Sequence, residues 1–181
     1  SYPRINAAGR IDVFCFDKTG TLTEDGMNLL GVNVSRKGKM SDLHKSAEQI
    51  EKNKRRFLTC LATCHSLVFV DDKLVGDPQD LEIFKFSGFK YSLPKDEGSE
   101  VKAYASLNSD SDNKNEESYD SAILHIFYFT SKRKRMGVIV KNLQNDNFEF
   151  YMKGAPEIVL ERCRKSSIPD DIEHVLDNYT R

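Results

Sequence analysis

The sequence of 181 residues is short of three things: tryptophan, net charge and long apolar runs. No apolar stretch approaches the ~20 residues that a membrane-spanning helix needs, so the pattern predicts no span within it. A net charge of −1 gives no electrostatic reason to expect binding to nucleic acid or to an anionic membrane surface. Hydrophobic residues still make up 39% of the chain, which is enough to bury a core.

The four cysteines do not match a common metal-binding pattern. Cys60 and Cys64 are one helical turn apart and His65 follows them, which is the arrangement nearest to a site. No second pair of ligands completes the four that a structural zinc ion requires. The spacing therefore favours buried, reduced cysteines over a metal site.

Strand-forming residues dominate the second half of the chain, in three runs. The runs span residues 123–129, 136–140 and 148–152. Asparagine and aspartate at 145–147 indicate a hairpin turn between the last two. In the last run Phe148, Phe150 and Met152 alternate with more polar residues, which is typical of an antiparallel sheet with one face on a core. A further, weaker strand pattern covers 29–34.

Helical patterns lie between and after these runs. They cover residues 41–50, 54–66, 81–86, 156–163 and 167–179. Ser41 is predicted to cap the first of these helices, Asp80 to open the third, and Gly88 to end it. Residues 106–120 are polar and nearly free of apolar groups, and this composition predicts a mobile surface insert within a domain.

The residues most indicative of chemistry follow a short apolar run, Ile11–Phe16, which predicts a buried strand of a parallel sheet. Ligands of such sheets bind outside the carboxyl ends of the strands, where Asp17 stands. A carboxylate there can attack phosphorus to form an acyl phosphate. Lys18 would neutralise phosphate charge, and Mg²⁺ would be held by Asp17 and the Thr19 carbonyl. From these residues alone, an ordinary turn after a strand is an open alternative.

The heptapeptide from Asp17 to Thr23 resembles the phosphorylation signature of the P-type ATPases, which belong to the haloacid dehalogenase-like superfamily. The resemblance implies that Asp17 accepts a phosphoryl group from ATP. Phosphatases of the superfamily usually carry a second Asp where this sequence has Thr19. Without that acid the aspartyl phosphate should persist, which suits a pump better than a phosphatase.

Three further segments resemble the nucleotide-binding domain of the same family, in the family's order. The resemblance implies that Phe129 stacks on adenine and that Lys134 lies near the phosphates. It also places Lys153 and Gly154 at the ATP pocket and Asp80 near the adenine amino group. Taken singly, these residues have ordinary structural readings: a core aromatic ring, solvated lysines and a helix cap.

The resemblance narrows to the fifth class of P-type ATPases, in the branch similar to lysosomal and vacuolar polyamine transporters. The segments that carry it are Pro3–Asn6, Cys15–Phe16, Glu24–Gly26, Ala62–Leu67 and Gly76–Pro78. It implies an α/β (α+β) chain in two parts. Residues 1–32 would begin a Rossmann-like phosphorylation domain with its first strand and loop. Residues 33–181 would form an incomplete nucleotide-binding domain with a mostly antiparallel sheet flanked by helices, interrupted near 106–120.

The function implied is that of a cytosolic part of an ATP-driven pump that carries a cation or polyamine across a lysosomal, vacuolar or endoplasmic-reticulum membrane. Its cofactors would be ATP and Mg²⁺. Its partners would be membrane helices, an actuator domain and the remainder of the phosphorylation domain, all in the same polypeptide. The chain alone is then expected to bind ATP without turnover, with 1–32 poorly anchored. A soluble phosphatase of the superfamily and a noncatalytic ATP-binding module are the alternatives.

Overall fold

A computed structural model describes residues 2–24, 26–50, 55–96, 98–107 and 120–180. The strands are β1 (Ser35–Arg36), β2 (Lys39–Met40), β3 (Val68–Val70), β4 (Lys73–Val75), β5 (Phe89–Ser92), β6 (Ala103–Leu107), β7 (Ser121–Thr130), β8 (Arg135–Asn142) and β9 (Phe148–Gly154). The helices are α1 (Tyr2–Ala8), α2 (Arg55–Thr63), α3 (Pro78–Ser87), α4 (Pro156–Leu160) and α5 (Ile172–Thr180), with 3₁₀ turns at Ala47–Gln49 and Lys165–Ser167.

The strands β5 to β9 form one antiparallel sheet in sequence order, and two small hairpins, β1–β2 and β3–β4, precede it. The three predicted strand runs in the second half are confirmed as β7, β8 and β9. The predicted class, a mixed fold with a mostly antiparallel sheet and flanking helices, is therefore confirmed. Most of the predicted insert, residues 108–119, lies outside the described residues.

The core lies between one face of this sheet and the helices α2 and α3. One cluster contains Ile123, Val138 and Val140, all fully buried, with Cys64 from the end of α2. A second joins Ala62 of α2 to Phe84 of α3 and to the first two strands of the sheet. Full burial of each large aliphatic side chain contributes about 1.5–3 kcal/mol, so this face holds the domain together.

Specific residues fix both ends of helix α3. Asp77 is its N-cap and accepts hydrogen bonds from the backbone N–H groups of Gln79 (2.8 Å) and Asp80 (3.3 Å). Gly88 ends it with φ of 73°, the left-handed conformation that glycine adopts without strain. The predicted helix is thus confirmed, but its cap is Asp77, which leaves the side chain of Asp80 free for another role.

Two predicted strands before the sheet do not form. Residues 11–16 have no strand, and Val13, Phe14 and Phe16 are 76%, 64% and 63% exposed. The reason is the lack of a backbone partner among the described residues, since an unpaired strand leaves its N–H and C=O groups to water. Residues 29–34 also form no strand, although Val32 makes a single antiparallel bridge with His44.

Several predicted helices are shorter than expected. The helix predicted over 156–163 ends at Leu160 as α4. The helix predicted over 41–50 is reduced to the 3₁₀ turn, because the Ser41 hydroxyl accepts a hydrogen bond from Val34 N–H at 2.8 Å instead of capping a helix. The helix predicted over 167–179 starts only at Ile172. Helix α2 confirms the prediction over 54–66 but ends at Thr63.

The alternation in β9 has the opposite orientation to the one its apolarity suggests. Tyr151 pairs with Val138 and packs on the core, whereas Phe148 and Phe150 are 68% and 59% exposed. Residues directly opposite in an antiparallel pair share a face, so the register with β8 decides which side is buried.

Candidate functional site

One pocket of about 700 Å³ collects all five residues predicted to bind a nucleotide: Asp80, Phe129, Lys134, Lys153 and Gly154. They come from α3, the β7–β8 hairpin and the end of β9, and are separated by up to 74 positions in the sequence. The sheet and α3 therefore bring together what the sequence presents as three separate segments.

Phe129 reaches this pocket because of a β-bulge. Phe127 pairs with Gly137 and Thr130 pairs with Arg135, so β7 has one residue more than β8 between these pairs. The extra residue reverses the alternation, and Phe129 joins Met136 and Lys153 on the pocket side, while Phe127 stays on the other side near Phe150. Bulges commonly re-aim a side chain next to a site. Phe129 is 58% exposed, which leaves a ring face available to a ligand.

Lys134 is held by unusual backbone geometry at the end of the hairpin turn. Its φ of 48° is left-handed, a conformation that a residue with a side chain adopts only when its surroundings fix it. Its N–H donates to the Thr130 carbonyl at 2.8 Å, and its own carbonyl accepts from Ala155 N–H at 3.1 Å. A Cβ on Gly154 would lie 2.5 Å from that carbonyl oxygen, so only glycine permits the approach.

Both lysines of the pocket face an acidic partner. The Lys153 ammonium contacts the carboxylate of Asp80, whose side chain is 7% exposed. The Lys134 ammonium lies 3.9 Å from the Glu157 carboxylate, and both of these side chains are well exposed. Water screens the exposed pair and makes it weak, whereas the pair of Asp80 and Lys153 is screened less because the carboxylate is buried.

His65, Cys60 and Cys64 lie on α2 or directly after it, next to the pocket residue Ser66, and we call these three side chains the neutral layer. His65 is buried between the rings of Phe84 and Tyr91, and burial lowers its pKa from 6.5 to about 4. Its Nε2–H donates to the Ala62 carbonyl at 2.9 Å and its Nδ1 accepts from Leu67 N–H at 3.3 Å, so the ring is neutral and fixed.

The cysteine pair belongs to this layer as well. The thiols of Cys60 and Cys64 interact, and this interaction raises the pKa of Cys60 and lowers that of Cys64. Cys64 also donates to the Tyr151 carbonyl at 3.8 Å, which ties α2 to β9 two residues before Lys153. Both are free thiols, and the described residues contain no His, Cys, Asp or Glu cluster suited to a metal ion.

Sequence reasoning did not assign several residues that line the pocket. They are Ser66, Asp77, Gln79, Ile83, Met136, Ala155 and Glu157. Some signals were present: Ser66 follows Cys64–His65, and Glu157 ends the segment that starts at Lys153. Their positions in the pocket depend on long-range packing of α2 and α3, which no local pattern encodes.

The predicted nucleophile loop is not joined to this pocket. Asp17, Lys18 and Thr19 are exposed, and none of them lines it. The loop is closed by hydrogen bonds to the Lys18 carbonyl from Leu22 N–H (3.0 Å) and Thr23 N–H (3.2 Å). The structure thus groups the predicted binding residues and leaves the predicted catalytic ones separate.

Among the described residues, no helix has the length and apolarity needed to cross a bilayer.

Chemically, the pocket suits a ligand with a flat aromatic ring and an anionic group. Phe129 offers a ring face for stacking, and Lys134 and Lys153 offer ammonium groups. The adjacent acids Asp80 and Glu157 balance these charges, so an anionic ligand would compete with the two carboxylates for the lysines.

Comparisons with known proteins identify the family of this chain. The profile of a family described as "P-type ATPase, cytoplasmic domain N" matches residues 53–181. The vacuolar cation-transporting ATPase YPK9 of Saccharomyces cerevisiae is 35% identical over 98% of this chain and 15% of its own length. The polyamine-transporting ATPase 13A3 of Homo sapiens is 31% identical over 98% of this chain and 16% of its own, and the probable cation-transporting ATPase 13A4 of Homo sapiens is 34% identical over 98% and 15%. The chain therefore spans about 15% of the length of these curated relatives.

Proposed function

Because this chain belongs to the P-type ATPases, we propose that its sheet domain binds ATP in the pocket of Phe129 and Lys153, and that Asp17 accepts the γ-phosphoryl group. The family membership predicted from the Asp17–Thr23 heptapeptide is confirmed, as is the resemblance to polyamine- and cation-transporting members. The observation that carries the binding proposal is the convergence of all five predicted residues on one pocket.

The pocket residues divide the nucleotide between them. Phe129 stacks on the adenine ring, and the ammonium of Lys134, a residue whose backbone is left-handed, binds a phosphate oxygen. Because Gly154 has no side chain, the carbonyl of Lys134 in the hairpin turn can approach the backbone of β9 closely. Stacking between a base and an aromatic side chain contributes about 1–3 kcal/mol, which makes Phe129 a leading contributor to affinity.

The phosphoryl step is proposed for Asp17, with Lys18 neutralising phosphate charge and Thr19 in the place of a hydrolytic acid. P-type ATPases use ATP with Mg²⁺, which neutralises charge on the transferred phosphate. Asp17 and the Thr19 carbonyl account for only two of the six oxygens that magnesium requires, and the described residues hold no cluster of metal-binding side chains. Magnesium usually keeps several waters and is bound by one or two carboxylates and by substrate phosphates, so we assign its remaining ligands to water, to the phosphate and to other parts of the polypeptide.

For the whole protein we infer ATP-driven transport of a cation or polyamine across an endomembrane of the lysosome, vacuole or endoplasmic reticulum, with this part facing the cytosol. The names of the relatives support this, since they describe a vacuolar cation-transporting and a polyamine-transporting ATPase. The partners are then membrane helices, an actuator domain and the rest of the phosphorylation domain. The division into a start of the phosphorylation domain at 1–32 and a nucleotide-binding domain at 33–181 is part of the same proposal.

Nucleotide binding by the 181-residue chain tests the first half of the proposal. Phe129→Ala should weaken ATP binding about tenfold, measured by titration calorimetry, because the stacking surface is lost. Phe148→Ala is the matched control: Phe148 is equally aromatic, 68% exposed and on the same sheet, but it does not line the pocket. Equal losses in the two variants would contradict the assignment of the pocket.

A noncatalytic ATP-binding module is the second candidate. The exposed position of Asp17, away from the pocket, favours it. A soluble phosphatase is disfavoured by Thr19 and by membership of the pump family. Phosphorylation of Asp17 in a longer polypeptide, described in the Discussion, separates a catalytic role from a module that only binds.

A further inference from the structure

The face of the sheet that points away from the core carries a second pocket, of about 200 Å³, which we call the outer pocket. The residues that line it include Phe127, Arg133, Arg135, Gly137, Phe150 and Met152. The basic run at the end of the β7–β8 hairpin is therefore divided between two sites. Lys134 lines the pocket of Phe129, and its neighbours Arg133 and Arg135 line the outer pocket.

The floor of the outer pocket is aromatic. The rings of Phe127 and Phe150 meet edge to face with their centroids 6.1 Å apart, and the two residues are 39% and 59% exposed. The Phe150 ring lies over Gly137, where an added Cβ would come within 2.6 Å of the ring atom Cζ. The solvated face of an antiparallel sheet normally carries polar side chains, so this pair of exposed rings indicates a surface that another group covers.

The helices after β9 cover only one end of this face within the described part of the chain. Met152 also lines an apolar cleft together with Leu160 of α4 and Leu176 of α5. Neither Phe127 nor Phe150 lines that cleft. The aromatic floor of the outer pocket is therefore available to a group from elsewhere.

The rim of the outer pocket is cationic. Among the residues that the structure describes, no carboxylate forms an ion pair with Arg133 or Arg135, whereas Lys134 between them has Glu157 at 3.9 Å. The Arg135 guanidinium donates a long hydrogen bond, 3.4 Å, to the Arg133 carbonyl. Two guanidinium groups at one pocket repel each other, and the planar fork of donors on each matches a carboxylate. A carboxylate placed between them would relieve that repulsion.

We propose that the outer pocket docks an acidic, apolar segment of the same polypeptide, which places a carboxylate against the two arginines and an apolar side chain on the two phenylalanines. Phenylalanine, methionine and arginine are enriched in protein interfaces, and all three line this pocket. The chain spans about 15% of the length of its relatives, so most of such a polypeptide is available as a tethered partner, and tethering raises the effective concentration. The pocket has room for one or two side chains, which favours a peptide segment over a membrane surface.

Hydroxyl-radical footprinting with mass spectrometry measures the exposure of Phe127 and Phe150 without altering them. Both rings should be oxidised readily in the 181-residue chain. In a polypeptide as long as the relatives, their oxidation should be about fivefold slower, because the docked segment excludes water from them. Arg133→Glu or Arg135→Glu in that polypeptide should restore the rate of the 181-residue chain. Arg133 lies in the exposed turn, so its variant tests the pocket even if Arg135→Glu disturbs β8.

Lys132→Glu is the matched control. Lys132 belongs to the same basic run and is exposed, but it lines neither pocket. This variant should keep both rings protected in the long polypeptide. The footprint is recorded without nucleotide, so its result does not depend on whether the pocket of Phe129 binds ATP, and the inference stands or falls separately from the proposed function.

The chemistry of the occupant is tested on the 181-residue chain. An acetylated peptide of alternating glutamate and leucine should protect both rings, and a peptide of alternating lysine and leucine should not. Equal oxidation of the rings in the long and short chains would overturn the proposal, as would protection that persists in both arginine variants. Protection by phosphatidylserine vesicles but not by the acidic peptide would assign the pocket to a membrane surface instead. Protection that rises with the concentration of the 181-residue chain alone would assign it to a second copy.

Discussion

Segments 11–24 and 121–154 of this chain have similar amino-acid patterns, but only the second forms strands. Each contains a run of apolar, strand-forming residues that leads to polar residues with a proposed chemical role. In the later segment Ile123 is fully buried and the strands β7 to β9 pair along their length. In the earlier one Phe16 is 63% exposed and no strand forms.

The difference shows that apolar composition does not by itself make a strand. Residues 121–154 include both partners of two hairpins, so each strand satisfies the backbone groups of its neighbour and buries a shared face. Residues 11–24 have no such partner among the described residues. The sheet and α3 therefore hold the pocket residues in place. The sheet makes no such contribution to the Asp17 loop, so we expect other parts of the polypeptide to fix the geometry of that loop.

The largest expected effect tests the assignment of chemistry to the earlier segment. In a polypeptide as long as the relatives, Asp17→Asn should abolish acid-stable, hydroxylamine-sensitive labelling by γ-labelled ATP, because an amide is not a nucleophile for this reaction. Nucleotide affinity should stay unchanged, since Asp17 does not line the pocket. Asp12→Asn, an exposed carboxylate five residues earlier, is the control and should keep the label. Labelling of the 181-residue chain alone would refute the separation of binding from chemistry.

The next effect compares the stability of the two segments directly. Ile123→Ala should lower the free energy of unfolding by about 2–5 kcal/mol, because it opens a cavity in the core. Phe16→Ala should change it by less than about 0.5 kcal/mol, because that ring is already exposed. Urea unfolding measures both. Hydrogen exchange that protected Val13 and Phe16 as strongly as Val138 would contradict this comparison.

Much of the later segment was predictable because its interactions are local. The hairpins follow from apolar runs and a turn at 145–147, and the motif starting at Lys153 identified the site. The side of the sheet on which Phe129 lies was not predictable, since it depends on a bulge between β7 and β8. Nor was the contact between Asp80 and Lys153, which joins residues 73 positions apart. Such contacts depend on the tertiary fold, which local patterns do not specify.

The failed predictions have a common physical cause. Residues 11–16 and 41–50 have suitable local patterns for a strand and a helix, but neither pattern contains the partners that would stabilise the element. Ser41 bonds to Val34 instead of starting a helix. In β9 the register with β8 placed Tyr151 inward and Phe150 outward, against their order of apolarity. Local propensity is thus overridden wherever pairing decides which groups are satisfied.

The last predicted effect is a dependence of stability on pH, which we expect to arise in the part of the chain that forms the sheet and its helices. His65 has a pKa of about 4 in the folded chain and 6.5 in the unfolded one, because burial disfavours its charged form. The unfolded chain therefore takes up a proton first as the pH falls, and the contribution of His65 to stability falls by roughly 3 kcal/mol between pH 6.5 and 4 and is constant outside that window. Asp80 and Lys153 face this ring with opposite charges and partly offset each other.

His65→Gln should accordingly flatten the dependence of the unfolding free energy on pH between 6.5 and 4, measured by urea titration at several pH values. His174→Gln alters an exposed histidine of α5 and is the control that should retain the original slope. Amides of 12–16 should show protection factors near one throughout, because that segment forms no strand and its side chains are exposed. If His65→Gln keeps the full slope, the pH dependence originates in other groups, and the neutral layer behind the pocket is not its source.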